Sequence, residues 1–175
     1  MDIDVALRTV DSPVGALLLA ATEAGLVRVA FAAEDHDAVL ATLAQRVGPR
    51  IAHCPARLDA IAGQLDDYFD GSRRDVDVPV DLRLAQGFRR TVVQQLRGIG
   101  YGERRSYAEV ARAVGSPGAV RAVGTACARN PLPVVIPCHR VVRSDGSAGR
   151  YAGGAAAKLL LLEIEGRGMK PPAAP

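Results

Sequence analysis

The sequence predicts a two-domain α/β protein, in which a small N-terminal antiparallel sheet with helices precedes a mainly helical domain that contains a helix-turn-helix. Short β-rich runs separated by turn residues occupy the first part of the chain, and helical apolar periodicity dominates after residue 88. The sign of the charge also changes between the two parts. We place the domains at 1–82 and 83–168, followed by a flexible tail at 169–175.

Charge separates the two predicted domains more clearly than the overall net charge of +3 suggests. Residues 1–82 hold seven arginines and fourteen acidic residues, a net charge of −7, whereas residues 83–151 hold twelve arginines and three acidic residues, a net charge of +9. A concentrated positive segment is typical of proteins that contact phosphates. The alternative, that these arginines only solvate a helical face, stays open on charge alone.

The cysteines and the N-terminus exclude several classes of protein. Cys54, Cys127 and Cys138 are odd in number, form no CxxC pair and have no accompanying histidine cluster, which argues against a disulfide scaffold and a structural zinc. The first residues lack the basic and apolar regions of a signal peptide, and no run of apolar residues is long enough to span a bilayer. We therefore expect a cytoplasmic protein without a metal site.

The first domain begins with three predicted strands. The runs "VALRTV", "ALLLAAT" and "LVRVAFA" are separated by the turn signals "DSPVG" and "EAG", which predicts an antiparallel meander. A helix is expected from Asp35 to Val47 and a second from Ala56 to Phe69. His53 and Cys54 would lie in the loop between these helices, and no residue of this domain is assigned a chemical role.

The second domain begins with an apolar helical stripe at Phe88, Val92, Val93, Leu96 and Ile99. The next helix should start with a capping box between Ser106 and Glu109, which places Tyr107 in its first turn.

A second helix of small residues should follow that one. Gly115 would end the first helix, Ser116 would cap the second, and Pro117 would lie in its first turn. The pair has the proportions of a helix-turn-helix, with Arg121 as the long side chain near the start of the second helix. An ordinary buried hairpin of helices is the alternative.

Cys138 and His139 stand side by side at the end of a predicted strand, "PVVI", which Pro137 terminates. Positive charge on His139, Arg140 and Arg143 would lower the pKa of the thiol and favour a nucleophilic thiolate. The alternative is an inert buried cysteine.

A carboxylate could act together with Cys138 and His139. Glu163 and Glu165 fall in the last turn of the final helix, which we expect to end at Gly166, and the helix dipole disfavours negative charge there. Pairing of Glu165 with His139 would explain its position and would give the Cys–His–Glu arrangement of an activated nucleophile. Spacing alone leaves open that both glutamates are solvated.

Four motifs in order, "SYAEVA", "AVRAVG", "RNPLPVVIPCHRVV" and "YAGGAAAKLLLLEIEG", resemble those of the O6-alkylguanine-DNA alkyltransferases, also called methylated-DNA–protein-cysteine methyltransferases. The resemblance runs from Phe88 to Gly166 and implies an RNase H-like N-terminal domain. It also implies repair by stoichiometric transfer of an alkyl group from O6 of guanine to the protein, which is thereby inactivated and needs no cofactor. The partner would be duplex DNA, contacted through the minor groove with the damaged base flipped out, by a monomer; clustering of molecules along DNA stays open.

The resemblance also implies a role for individual residues. Cys138 would accept the alkyl group, His139 would take the thiol proton through a water, and Glu165 would orient His139. Tyr107 would donate a proton toward N3 of guanine, and Asn130 would tie the helix-turn-helix to the acceptor segment. Arg121 would fill the gap left by the flipped nucleotide, on a DNA-binding surface with Tyr107, Ala119, Ala122, Thr125 and Ala126. The base pocket would be formed by Pro137, Val141, Tyr151, Ala152, Gly153 and Lys158, with the carbonyls of Cys138 and Val141 accepting from the exocyclic amine.

Two other functions remain open at the level of sequence. A non-catalytic sensor of alkylated DNA, or a helix-turn-helix regulator, would use the basic domain and leave Cys138 incidental. A Cys–His–Glu hydrolase would use the same three residues repeatedly on an acyl substrate, but it would leave the helix-turn-helix and Arg121 unexplained.

Overall fold

The computed structural model describes residues 2–168, so the predicted tail at 169–175 lies outside the described residues. The predicted meander is confirmed: β1 (Val5–Val10), β2 (Leu17–Thr22) and β3 (Gly25–Phe31) are consecutive antiparallel strands. A fourth strand, β4 (Ile51–His53), runs parallel to β1 and gives the sheet the order β3-β2-β1-β4. The sheet is therefore mixed. His53 was predicted to lie in a loop but belongs to β4, a strand too short to show an alternation of apolar and polar residues in the sequence.

Two helices accompany this sheet. Helix α1 (His36–Arg46) has Asp35 as its N-cap, with the Asp35 carboxylate accepting from the amide of Ala38. A short 3-10 helix (Pro55–Leu58) then leads into α2 (Asp59–Asp70), which buries Leu65 and Tyr68. Gly71 ends α2 in the left-handed conformation, which glycine adopts without strain.

The second part of the chain is mainly helical. Its helices are α3 (Gly87–Leu96), α4 (Tyr107–Ala113), α5 (Val120–Ala128) and α6 (Ala155–Gly168), and two short strands, β5 (Arg105–Ser106) and β6 (Val141–Val142), pair in parallel. Both hydrogen bonds of the predicted capping box are present at the start of α4. Helices α4 and α5 form the predicted helix-turn-helix.

Three local predictions for this part are wrong. Ser116 and Pro117 lie in the turn before α5, whose N-cap is Ala119. Phe88 is 36% exposed, although the rest of its apolar stripe is buried. Helix α6 continues to Gly168, so Gly166 lies inside it.

The predicted strand "PVVI" is also absent, because residues 131–137 form a turn-rich loop. Three prolines in this segment, at 131, 133 and 137, remove the amide donors that a strand ladder needs. The loop closes locally through a hydrogen bond from the amide of Ile136 to the carbonyl of Leu132. Val134 adopts a φ of 72°, which is unusual for a β-branched residue and marks a strained backbone next to Cys138.

One apolar core joins the two parts of the chain. It includes Leu19 of the sheet and Leu65 of α2 together with Val92 of α3 and Leu161 of α6. A smaller cluster packs α1 against the other face of the sheet. Because the larger core is continuous, the sheet and α2 are held directly against the helices that carry the predicted site.

The segment that connects the two parts also contacts the sheet, along the edge strand β3. The amide of Leu26 donates to the carbonyl of Pro79 at 2.9 Å, and the amide of Asp81 donates to the carbonyl of Leu26 at 2.8 Å. Gly25 has a φ of 143°, and a Cβ atom at this position would lie 2.4 Å from the Pro79 carbonyl oxygen. The close approach of the two backbones therefore requires glycine at residue 25.

We expect Gly25→Ala to lower the free energy of unfolding by more than about 2 kcal/mol, since it combines an unfavourable φ with a backbone clash. Gly63→Ala is the matched control, because Gly63 is exposed in the middle of α2 and an added Cβ meets nothing within 4 Å. That change should raise stability by up to about 1 kcal/mol. Urea unfolding of Gly25→Ala and Gly63→Ala checks both expectations. Equal changes of the same sign in the free energy of unfolding would show that residue 25 does not require glycine.

Candidate active site

The loop that precedes Cys138 is organised by the side chain of Asn130. This residue is 4% exposed; its Nδ2 donates to the carbonyl of Ile136 at 2.9 Å, and its Oδ1 accepts from the amide of Leu132 at 2.9 Å. Asn130 follows the C-cap residue of α5, so these bonds join the helix-turn-helix to the segment that carries Cys138. This is the connection that the sequence analysis assigned to it.

Cys138, His139 and Arg140 form a single 3-10 turn, with all three side chains buried. A turn changes the direction of successive side chains, so Cys138 and His139 need not point to opposite faces as they would in a strand. The turn leads into β6, where Val141 pairs with Arg105 of β5. Cys138 is therefore held between the Asn130 loop on one side and a short parallel strand pair on the other.

Glu165 of α6 contacts His139 from behind this turn. Its Oε1 lies 2.7 Å from His139 Nε2, and its side chain is 1% exposed. The guanidinium of Arg140 donates to both carboxylate oxygens, with Nη2 at 2.8 Å from Oε1 and Nε at 3.0 Å from Oε2. The helix dipole disfavours a negative charge near the end of α6, and the hydrogen bonds from these partners offset this cost for the Glu165 carboxylate.

Tyr68 of α2 is a further partner of Glu165 that the sequence analysis did not identify. Its hydroxyl donates to Glu165 Oε1 at 2.7 Å and lies 3.5 Å from His139 Nε2. The sequence offered little signal for this contact, since Tyr68 belongs to a regular amphipathic helix nearly a hundred residues away from Glu165.

The pKa values of Glu165 and His139 show which of the two is charged. Hydrogen bonds from His139 and Arg140 outweigh burial and lower the pKa of Glu165 to about 2. Burial is the main cause that lowers the pKa of His139, despite the opposing effect of Glu165. At neutral pH the carboxylate is therefore ionised and the imidazole is neutral.

The predicted lowering of the Cys138 pKa is wrong. Complete burial raises the pKa of this thiol to about 11, and the opposing effects of the Asn130 side chain and of Lys158 are smaller. Arg140 is engaged by Glu165, and Arg143 is exposed. The thiol is therefore protonated at neutral pH, so a base must take its proton when it reacts.

Tyr107 and Lys158 lie together near Cys138. The capping box fixes Tyr107 at the first position of α4, and burial raises the pKa of its hydroxyl to about 12. Lys158 is fully buried; its Nζ donates to the carbonyl of Val141 at 2.7 Å and lies 3.4 Å from the Tyr107 hydroxyl. Tyr107 is thus a protonated hydroxyl next to a cation, which suits a proton donor.

The predicted base-pocket loop lies against the N-terminal sheet. The ring of Tyr151 packs edge-on against Phe31 of β3, with centroids 5.3 Å apart. A Cβ atom on Gly153 would come within 2.7 Å of the Phe31 ring, so the loop backbone itself touches this ring. Ala152 is half-buried beside them, while Pro137 and Val141 are buried near Cys138.

The two carbonyls that were expected to accept from the base already have one partner each. The carbonyl of Cys138 accepts from the amide of Val141, and the carbonyl of Val141 accepts from Lys158. Each carbonyl oxygen has two lone pairs, so both retain one acceptor position.

Helix α5 presents part of the predicted DNA-binding surface. Arg121, Ala122 and Thr125 are exposed on one face of the helix, and Ala119 is half-buried at its N-cap. Ala126 is 3% exposed and belongs to the core, so its assignment to the DNA-binding surface is wrong. The helical period places residue 126 with Val123 and Cys127 on the inward face.

Three more arginines share a cleft with Arg121, and the sequence analysis did not single them out as a group. The cleft encloses about 590 Å³ and is lined by Tyr107, Gly124, Thr125 and Gly149 together with Arg121, Arg129, Arg143 and Arg150. Within residues 2–168 none of these four arginines forms a salt bridge, and no acidic residue lines the cleft. The concentration of arginine between residues 83 and 151 was the signal that could have revealed them. The cleft is suited to phosphate groups.

Sequence profiles of two domains of one family match the chain. The 6-O-methylguanine DNA methyltransferase ribonuclease-like domain matches residues 5–82, and the 6-O-methylguanine DNA methyltransferase DNA binding domain matches residues 87–167. Within residues 2–168, no helix is both long and apolar enough to cross a bilayer.

Several known proteins are similar over nearly the whole chain. The methylated-DNA–protein-cysteine methyltransferase of Mycolicibacterium paratuberculosis is 39% identical, with 91% of this chain and 92% of the relative covered. The constitutive methylated-DNA–protein-cysteine methyltransferase of Bacillus subtilis is 37% identical, covering 90% of this chain and 93% of the relative. The crystal structure of Mycobacterium tuberculosis OGT in complex with DNA superposes with a TM-score of 0.82 at 36% identity, covering 93% of this chain and 94% of that one.

The ionised state of Glu165 should make stability depend on pH. Because its pKa falls from 4.5 in the unfolded chain to about 2 in the fold, its contribution is complete above pH 4.5 and is lost as the pH falls toward 2. We expect Glu165→Gln to abolish this dependence. At pH 6 the variant should be less stable than wild type, and the difference between their free energies of unfolding should be about 3 kcal/mol smaller at pH 2 than at pH 6.

Glu163→Gln is the control for this measurement, because Glu163 lies on the same helix but is exposed, and its one ion pair within residues 2–168 is with Arg167. An exposed pair of this kind contributes under about 0.5 kcal/mol. Urea unfolding from pH 2 to 6 gives the curves, and parallel curves for wild type and Glu165→Gln would contradict the assignment.

Proposed function

This chain belongs to the 6-O-methylguanine DNA methyltransferase family, and we propose that it is a methylated-DNA–protein-cysteine methyltransferase whose acceptor is Cys138. The reaction repairs DNA directly, by moving the alkyl group from O6 of guanine to the thiol. The observation that carries the assignment of the acceptor is the buried His139–Glu165 pair immediately beside Cys138. A buried cysteine that served only packing would not need this pair.

His139 is the base in this reaction. Its Nε2 is engaged with Glu165, so Nε2 carries the hydrogen and Nδ1 holds the lone pair. Nδ1 is buried and has no hydrogen-bond partner among residues 2–168, so it is available to accept a proton. We propose that the thiol proton reaches Nδ1 through a water, and that the ionised Glu165 stabilises the imidazolium that forms.

The transfer itself is an in-line displacement. The Cys138 sulfur forms a bond to the alkyl carbon while the bond from that carbon to O6 breaks, and the electron pair of that bond stays with guanine. Tyr107 donates a proton toward N3, so that guanine leaves as a neutral base, and the Lys158 cation beside Tyr107 favours this donation. The thioether is not hydrolysed, so each protein molecule reacts once.

Duplex DNA is bound through α5 and the arginine cleft. The base must leave the stack before Cys138 can reach it, which costs a few kcal/mol. We propose that Arg121 enters the space left by the base, while Arg129, Arg143 and Arg150 contact phosphates around the opening. Among the described residues, 2–168, no acidic side chain lines this cleft, which supports that assignment.

We also propose that the domains divide at residues 82 and 83 and that the protein works in the cytoplasm. The gap between the two matched profiles falls at residues 83–86, which supports the division. A reducing compartment would keep the acceptor thiol available, and Cys54, Cys127 and Cys138 are all free.

Incubation with duplex DNA that carries a labelled O6-methyl group tests the function. We expect one labelled methyl group per protein molecule, a mass gain equal to that one group within the peptide that contains Cys138, and no second turnover. Cys138→Ser should bind the same DNA and acquire no label, because a serine hydroxyl is a poor nucleophile without stronger activation. Cys54→Ser is the control and should react normally, since Cys54 lies in the N-terminal part at the start of a 3-10 helix. Binding without label in the wild type would favour a sensor, and repeated turnover would favour a hydrolase.

The role of Arg121 is tested by comparing two substrates. We expect Arg121→Ala to slow repair of duplex DNA by at least about tenfold and to leave reaction with free O6-benzylguanine within about twofold, because only the duplex requires the base to be held out. Arg57→Ala, which removes the same charge from an exposed site in the N-terminal part, should affect neither substrate. Equal losses on both substrates would show that Arg121 supports the fold and not the flipped state.

A further inference from the structure

The N-terminal part of the chain contributes a polar group to the site through Tyr68. Resting on the function proposed above, we propose that Tyr68 is a positioning residue for alkyl transfer: by donating to Glu165, its hydroxyl shares the carboxylate oxygen that His139 contacts and keeps the imidazole neutral before the reaction. The hydroxyl donates to the same Oε1 atom that His139 contacts, at 2.7 Å in each case. Tyr68 is 1% exposed, so water does not compete for this bond.

Three donors from two segments of the chain converge on Glu165 Oε1. His139 and Arg140 come from the 3-10 turn, and Tyr68 comes from α2. The two donors of the turn are adjacent in sequence. Tyr68 is the donor that ties the carboxylate to the N-terminal sheet and its helices.

The hydroxyl of Tyr68 acts as a donor and not as an anion. Burial and the neighbouring Glu165 charge both raise the pKa of Tyr68, so the hydroxyl remains protonated throughout the working range of pH. A hydrogen bond donated to a carboxylate spreads part of the negative charge onto the donor. The Tyr68 hydrogen bond therefore weakens the attraction between Glu165 and a protonated His139. This weaker attraction helps to keep His139 neutral before the reaction.

The groups around His139 determine whether its pKa rises or falls when the Tyr68 hydroxyl is removed. Among residues 2–168, the titratable and charged groups around it are Glu165 and Lys158 from α6, Arg140 and Cys138 from its own turn, and Tyr68 from α2. Tyr101, from the segment after α3, and Tyr151 lie near Glu165. Arg140 and Lys158 oppose a positive imidazole, and Glu165 favours it. Removing the Tyr68 hydroxyl leaves the two cations in place and concentrates the charge of Glu165 on His139, so the pKa of His139 should rise.

The aromatic ring of Tyr68 has a separate packing role that a conservative variant preserves. It lies edge-on to Phe69 and to Tyr101, with centroids 5.3 Å and 6.2 Å apart. Tyr68→Phe keeps these contacts and removes only the hydroxyl. Tyr101→Phe is a matched control, because the Tyr101 hydroxyl lies in the same cluster but donates to the backbone carbonyl of Ile164, at 3.4 Å, and not to the Glu165 side chain.

The experiment measures transfer from free O6-benzylguanine to Cys138 by intact-protein mass, from pH 5 to 9, for wild type, Tyr68→Phe and Tyr101→Phe. For Tyr68→Phe we expect the acid side of the rate profile to move up by about one pH unit, which is a tenfold loss of rate at low pH, with a much smaller loss above pH 8. The ¹⁵N spectrum of the His139 imidazole should show the same shift of its titration. Tyr101→Phe should follow the wild-type profile.

Three other outcomes for Tyr68→Phe contradict the proposal. A Tyr68→Phe profile that overlies the wild type, or a loss that is equal at every pH, would make Tyr68 a packing residue. A Tyr68→Phe protein that unfolds below 25 °C would likewise show that the hydroxyl serves the fold. If wild type transfers nothing to Cys138, the proposed function fails instead, and the imidazole titration still decides whether Tyr68 controls the Glu165–His139 pair.

Discussion

The buried carboxylate of Glu165 is the group on which the site depends. It accepts hydrogen bonds from His139, Arg140 and Tyr68, and the last two contacts bring the acceptor turn and α2 onto one helix, α6. A buried charge is costly unless it is paired and fully hydrogen-bonded, so the fold is constrained to keep all three donors in place. The backbone amide of Gly102 adds a fourth, longer contact at 3.4 Å to Oε2. The position of His139, and with it the proposed proton path from Cys138, follows from this arrangement.

Burial gives Cys138 a chemistry different from that of an exposed reactive cysteine. A thiol with a pKa of about 11 is almost wholly protonated at neutral pH, and a protonated thiol is a weak nucleophile. In the proposed reaction, His139 takes the proton while the alkyl carbon is already in line. This requirement protects the thiol from alkylating agents and oxidants that merely diffuse to it, which matters for a protein that can react only once. Selectivity then comes from the pocket and from the proton path together, and not from an activated thiolate.

The sequence predicted most of the elements where local signals and tertiary structure agree. The meander, the Asp35 cap, the Ser106–Glu109 capping box and the helix-turn-helix depend on turn residues and caps that act within a few positions. Predictions failed where long-range contacts decide the structure. The run "PVVI" has strand composition, but Asn130 and the prolines fold it into a loop, and burial outweighs the local arginines in setting the pKa of Cys138. The contact of Tyr68 with Glu165 has no local signal because it joins residues separated by 97 positions.

The N-terminal part of the chain carries no reacting atom in the proposed mechanism, but it supports the site at two separate places. Phe31 of β3 packs against Tyr151 and against the backbone at Gly153, and Tyr68 of α2 contacts Glu165. The first contact limits where the loop of the proposed base pocket can lie, and the second limits where the Glu165 carboxylate next to His139 can lie. Both contacts rest on the apolar core that runs from the sheet into α3 and α6, so they are rigidly linked to each other. The helical part therefore holds the residues that react, while their relative positions are set by both parts of the chain, which explains why a domain without its own chemistry packs so closely against the site.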